Sequence, residues 1–247
     1  MNRILESNKI KISFISCLIL FFTFGVNTSL VASYKDHNFR SFEYELMDLW
    51  EENYSGYIVF TDRIENRLPE FKHQFKIVSE GLDVHWTLIA AISYQESHWD
   101  PAAISNTGVR GMMMLTQKTA KEMGVNERTD PNESISGGAK YFQKILQKLP
   151  KEIPKQDRMW MSLAAYNLGY ANINEARQMT KENGSNANKW DDVVLYLPLQ
   201  LKQKYKNDHE LGEDRSRIVI DYVNKIRIFY ETLSIMENEE AFKNISS

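Results

Sequence analysis

From residue 34 onward the apolar residues recur every three or four positions, and that helical beat leaves the chain little else to fold into. Phe39, Phe42, Leu46 and Leu49 share one such stripe, and Leu68, Phe71, Phe75 and Val78 share another. Ile135, Gly138, Phe142, Ile145 and Leu149 make a third face. Val219, Tyr222, Val223, Ile226, Phe229 and Leu233 mark a last long helix. No run alternates as a strand would, and no internal repeat is present. Residues 56–61, rich in β-formers, are expected to form a short extended link. Local signals place the helix ends. Asp130-Pro131-Asn132-Glu133 reads as N-cap, first position and third position of a helix that exits at Pro150 and Pro154. Asp157 is expected to cap the next helix, which stops at Asn167-Leu168-Gly169. The polar tail from Glu237 is expected to fray. The fold class that follows is all-α.

Composition narrows the function. The chain has 247 residues, 43% hydrophobic and 26% charged, which suits a globular protein and excludes disordered, fibrous and polytopic membrane classes. Lys and Arg total 30 against 33 Asp and Glu, so no basic excess points to nucleic acid. Cys17 is the only cysteine, which removes disulfide frameworks and cysteine-ligated zinc. His37, His73, His85, His98 and His209 show no metal-ligand spacing, and neither a metal nor a cofactor is expected.

The first 33 residues read as a targeting segment. Arg3, Lys9 and Lys11 precede an uncharged apolar run from residue 12 to 26, and small residues follow up to Val31-Ala32-Ser33. A basic start, an apolar middle and small residues at the end make a secretory leader, cleaved near Ala32 or Ser33. A retained anchor is the alternative. Losing Arg3, Lys9, Lys11 and Glu6 moves the formal charge from −3 to −5.

Glu96 is the most informative residue. A helix from about Val84 to His98 sets Ile89, Ile92, Glu96 and Trp99 on one apolar stripe, and Pro101 requires it to end near Asp100. Burial and the negative end of the helix dipole both disfavour the carboxylate there, so the pKa should rise. A carboxylic acid still protonated near neutral pH is what glycosidic bond cleavage requires. The plain alternative is a helix-end glutamate bonded to loop amides.

The motifs around Glu96 weigh against that alternative. The segments AAISYQESHWDP, GVRGMMMLT, SISGGAKYF and LAAYNLGYA stand in order along the chain. From about residue 50 to 235 the chain resembles the soluble-lytic-transglycosylase family of lysozyme-like enzymes, and within it the membrane-bound lytic transglycosylase F subfamily. The resemblance implies a lysozyme-like helical fold with Glu96 as the catalytic acid and base. It implies that Ser105 holds the substrate N-acetyl group, that Tyr166 and Asn167 belong to the cleft motif, and that Tyr222 lies near the catalytic carboxyl. Ser97 and Met114 complete the candidate substrate contacts. Ser97 could equally cap the helix end, and Met112 to Met114 could simply pack. Two departures stand out: Met114 occupies a position where many relatives have glutamine, and 215–219 lacks the glycine and glutamate of close relatives.

A double-carboxylate glycosidase is not expected, because Asp83, Asp100, Asp130 and Asp157 read as caps and turns. The resemblance implies instead that Glu96 protonates the bond between N-acetylmuramic acid and N-acetylglucosamine. It then deprotonates the muramoyl C6 hydroxyl, leaving a 1,6-anhydro ring. A lysozyme-type hydrolase on the same fold, or a silent glycan-binding scaffold, are the rival readings. The expected organisation is a leader over 1–33, a helical extension over 34–80, a catalytic domain over 81–236 and a tail over 237–247. The solute-binding-like domain usual in that subfamily is not expected within these residues. The expected partners are peptidoglycan glycan strands, with no nucleic acid and with peripheral membrane association as an option. The expected location is the periplasm, with outer-membrane association or anchoring by an uncleaved leader as the options.

Overall fold

The computed structural model describes residues 42–245, so the leader and Phe39 lie outside the described residues. The chain divides into two compact units, Met1–Tyr44 and Glu45–Ser247. Of the first, only the helical residues 42–44 are described; everything below concerns the second. Nine helices carry it among the described residues: α1 (Tyr54–Asn66), α2 (Leu68–Ser79), α3 (Trp86–Ser97), α4 (Gln117–Met123), α5 (Pro131–Lys148), α6 (Lys155–Leu168), α7 (Tyr170–Glu182), α8 (Trp190–Lys204) and α9 (His209–Ile245). A helical stretch over 45–49 and a short 3₁₀ turn, Glu51–Asn53, precede α1. No strand forms among the described residues. Two isolated bridges, Ile104 with Arg110 and Arg110 with Leu115, fold the loop between α3 and α4 on itself. The all-α expectation is met. None of these helices is long and apolar enough to cross a membrane.

The helix α3 is the centre of the packing. Its residues from Trp86 to Tyr94 are all buried, and α2, α5 and α9 pack against it. The stripe expected from Ile89, Ile92, Glu96 and Trp99 therefore needs correcting. A helix surrounded on every side has no exposed face to contrast with, so Glu96 loses water through its central position. Trp99 is not on the helix at all. The backbone leaves α3 at His98 and Trp99 with φ of 55° and 58°, three residues before Pro101 demands it. Left-handed backbone costs an ordinary residue about 1–2 kcal/mol. The buried indole of Trp99 offsets that cost, with Nε1 donating to Ala90 O at 2.9 Å.

Three other expectations are revised. Residues 56–61 are not an extended link but the first half of α1, because Asn53 Oδ1 caps the helix by accepting from Gly56 N at 3.0 Å. Phe60 is then buried, and Tyr57 and Ile64 pack on the core, so tertiary burial overrides the β-propensity of the run. Asp157 does not cap its own helix, which starts from Pro154. Its Oδ1 accepts from Trp190 N at 2.7 Å and so caps α8 instead. The tail beyond Glu237 stays helical to Ile245. Glu237 pairs there with Lys72 and Lys76 of α2, and Glu240 with Lys72. Asp130 caps α5 as its spacing indicates, with Oδ1 accepting from Glu133 N at 2.8 Å.

Candidate active site

Glu96 sits in the last turn of α3, half-buried, and its Oε1 accepts a hydrogen bond from Tyr222 OH at 2.6 Å. Tyr222 comes from α9, 126 residues further along, and its ring is buried. Burial pushes the Glu96 carboxyl up to about 7, against the opposing pull of the Tyr222 hydrogen bond. No second carboxylate contributes to that shift. The phenols of Tyr222 and Tyr166 are both driven well above their ordinary value, first by burial and then by the field of Glu96. Mutual electrostatic influence thus draws Glu96, Tyr166 and Tyr222 into one site. Chemically it is a lone acid able to hold a proton near neutral pH, hydrogen-bonded to a phenol that donates to its carboxylate form.

The segment Gly111–Met114 is locked beside α3 by hydroxyls from three helices. Ser93 and Ser97 of α3 both donate to Met112 O at 3.0 Å, and Tyr166 OH of α6 donates to Met113 O at 3.0 Å. Met113 N donates in turn to Ser134 Oγ of α5 at 3.2 Å. Gly111 is needed where it stands. Its φ is +81°, and a Cβ there would lie 1.7 Å from Arg128 O. Met114 has a positive φ of 45° without glycine's freedom, so this strained turn persists only because its surroundings hold it. Gly138 of α5 leaves room for the Met113 side chain, which would otherwise meet a Cβ at 2.5 Å.

The sequence-derived residues fall into two groups. Glu96, Tyr222 and Tyr166 converge, and Ser97 is a buried brace that also donates to Ser93 O at 3.1 Å. Met112 and Met113 are fully buried packing residues, while Met114 is half-buried. Ser105 bonds within its own turn: its Oγ accepts from Thr107 N at 3.2 Å and Val109 N at 3.3 Å, and shares a hydrogen bond with Thr107 Oγ1. Asn167 is exposed at the end of α6. Sequence reasoning missed Ser93 and Ser134. The signal was available: a serine inside the apolar run of α3 must find a partner when buried. Among the described residues no three His, Cys, Asp or Glu side chains converge as a metal site would require.

Residues 75–189 match the family model described as the Transglycosylase SLT domain, a span that includes Glu96, Ser105, Met114, Tyr166 and Asn167 but not Tyr222. Residues 75–189 are therefore similar to a transglycosylase SLT domain. Among individual proteins it is 46% identical over 191 residues to membrane-bound lytic murein transglycosylase F of Saccharophagus degradans, covering 77% of this chain and 38% of that one. It is 43% identical over 199 residues to the protein of the same name from Aeromonas hydrophila, covering 77% and 40%. The chain thus spans about two-fifths of the length of these relatives. Among solved structures it is similar to the 70 kDa soluble lytic transglycosylase of Escherichia coli, with 21% identity, a TM-score of 0.44, and coverage of 78% of this chain and 32% of that one.

Proposed function

We propose that this protein is a peptidoglycan lytic transglycosylase, cleaving the bond between N-acetylmuramic acid and N-acetylglucosamine without water. The observation that carries the reading is the single carboxyl of Glu96, raised to about 7 and hydrogen-bonded to Tyr222 with no partner carboxylate. A two-carboxylate hydrolase would need a second acid to activate water or attack carbon. Here Glu96 gives its proton to the glycosidic oxygen. The resulting carboxylate, stabilised by Tyr222 OH, then takes the proton of the muramoyl C6 hydroxyl as that oxygen closes on C1. Acid and base are one residue in successive steps, so the site returns to its starting state without a cofactor.

Ser105 is assigned the substrate N-acetyl group. Its oxygen accepts from Thr107 N and Val109 N, so donating to an acetyl carbonyl requires its one proton to leave the contact with Thr107 Oγ1. Asn167, Met114 and Tyr166 are assigned to the cleft wall. The relatives' name, membrane-bound, supports placement at the cell envelope, with the basic-apolar leader directing export. Digestion of purified peptidoglycan followed by mass spectrometry tests the whole reading. Anhydro-muramoyl ends, lighter by one water than reducing ends, are expected; reducing ends alone would make the protein a hydrolase.

A further inference from the structure

A pocket of about 480 Å³ lies against the same loop, and its chemistry differs from that of the Glu96 site. Its lining includes Arg110, Lys121, Arg128 and Glu127, with the buried Ala120 and Val125. Three cations against one carboxylate is a local reversal in a chain whose formal charge is −3. We propose that this pocket binds a carboxylate of the peptide stem carried by the muramoyl residues of the glycan. The proposal rests on the reading that the substrate is peptidoglycan, whose anionic charge lies on those stems while its sugar rings are neutral.

The cations are not consumed internally. Arg110 and Lys121 make no ion pair and no side-chain hydrogen bond among the described residues. Arg128 is fixed, with Nη1 donating to Gly108 O at 3.2 Å and Leu115 O at 2.9 Å. Glu127 does not neutralise them at contact range. Its Oε1 accepts from Thr129 Oγ1 at 2.6 Å and Thr129 N at 3.0 Å, and these bonds hold its carboxyl below the usual range, with smaller help from Arg110 and Arg128. Glu133 is likewise engaged, its Oε2 accepting from Asn126 N and Glu127 N.

The pocket is also tied to the motif loop. The backbone of Arg110 bridges both Ile104 and Leu115, the neighbours of Ser105 and Met114, and Arg128 O abuts Gly111. A stem of five residues reaches roughly 17 Å when extended, ample to pass from a sugar held at Ser105 to a cation five residues along a folded loop. Geometry and charge therefore set a peptide-reading subsite next to the glycan-cleaving one.

The test separates the pocket from the activity. An acidic stem tetrapeptide is titrated by calorimetry into full-length Glu96→Gln protein, with the fully amidated peptide as control. Binding of the acidic form alone is expected, weakened about tenfold in an added Arg110→Gln/Lys121→Gln pair, since each charge contact contributes modestly at a solvated site. Equal binding of both peptides, or affinity unchanged by the pair, overturns the proposal. In the active protein the same pair should raise KM several-fold on peptide-bearing strands and leave kcat, melting temperature and cleavage of amidase-stripped strands unchanged. Equal loss on both strands would assign Arg110 and Lys121 to the glycan site instead. If the parent protein cleaves neither strand, the proposed activity fails, and the titration still decides the pocket.

Discussion

At the scale of single residues, the raised pKa of Glu96 links activity to stability. An acid whose folded pKa of about 7 exceeds its ordinary 4.5 leaves the fold unpenalised at low pH, where both states are protonated. As pH climbs from 4.5 to 7 the unfolded chain ionises first, and the fold loses up to about 3 kcal/mol before levelling off. Glu96→Gln should therefore abolish turnover and also stabilise the protein by about that amount at pH 8, with little difference at pH 4; denaturant unfolding at the two pH values reads this directly. Loss of turnover without any pH-dependent gain would mean Glu96 is not desolvated. Tyr222→Phe acts on the same group from the other side. Without the phenol the carboxylate loses its donor, so the pKa rises, and the alkaline limb of kcat/KM should move to higher pH while kcat falls several-fold. Glu96 itself was legible in the sequence from its neighbours, Pro101 and the motif order. Tyr222 was legible only through resemblance, because nothing local to 96 or to 222 announces a contact across 126 positions.

At the scale of elements, the helices were readable wherever a cap and a stripe agreed, as at Asp130 and along α5. They were misread where local propensity opposed the core, as at 56–61, and where a capping side chain served another helix, as Asp157 does for α8. The loop between α3 and α4 was readable as a motif but not as a structure, since its shape depends on hydroxyls from α3, α5 and α6. Those hydroxyls are not equivalent. Met112 O has two donors, so Ser97→Ala leaves Ser93 in place and should cost about 1 kcal/mol or less. Met113 N has only Ser134 as acceptor, so Ser134→Ala orphans a buried donor and should cost about 1–3 kcal/mol. Turnover near wild type for Ser97→Ala, with Ser134→Ala the less stable of the two by thermal melting, is the expected result. A large fall in turnover for Ser97→Ala at unchanged stability would return that serine to the substrate.

At the scale of the whole molecule, the matched family span and the physical unit do not coincide. The family model begins at residue 75, yet Trp50, Phe60, Leu68 and Phe71 are buried in the same core as α3. Phe60 packs its ring 4.5 Å from Tyr94 and 5.8 Å from Trp99, on the helix that carries Glu96 and on its exit turn. Trp50 Nε1 donates to Thr232 Oγ1 at 2.8 Å, tying the segment ahead of α1 to α9, the helix that delivers Tyr222. Removing residues 1–80 would strip four large apolar side chains from this core together with Phe75, each contributing roughly 1.5–3 kcal/mol. The loss, on the order of 10 kcal/mol, is comparable to the entire stability of a typical domain. The Lys72 and Lys76 pairs with Glu237 and Glu240 would go too, but as partly exposed ion pairs they count for little beside it. A fragment of residues 81–247 is therefore expected not to fold cooperatively, whereas one of residues 45–247 should melt as the longer chain does and retain cleavage of peptidoglycan. Circular dichroism on the two fragments checks this. A cooperative, active 81–247 fragment would show that α1 and α2 merely cover a core that stands without them.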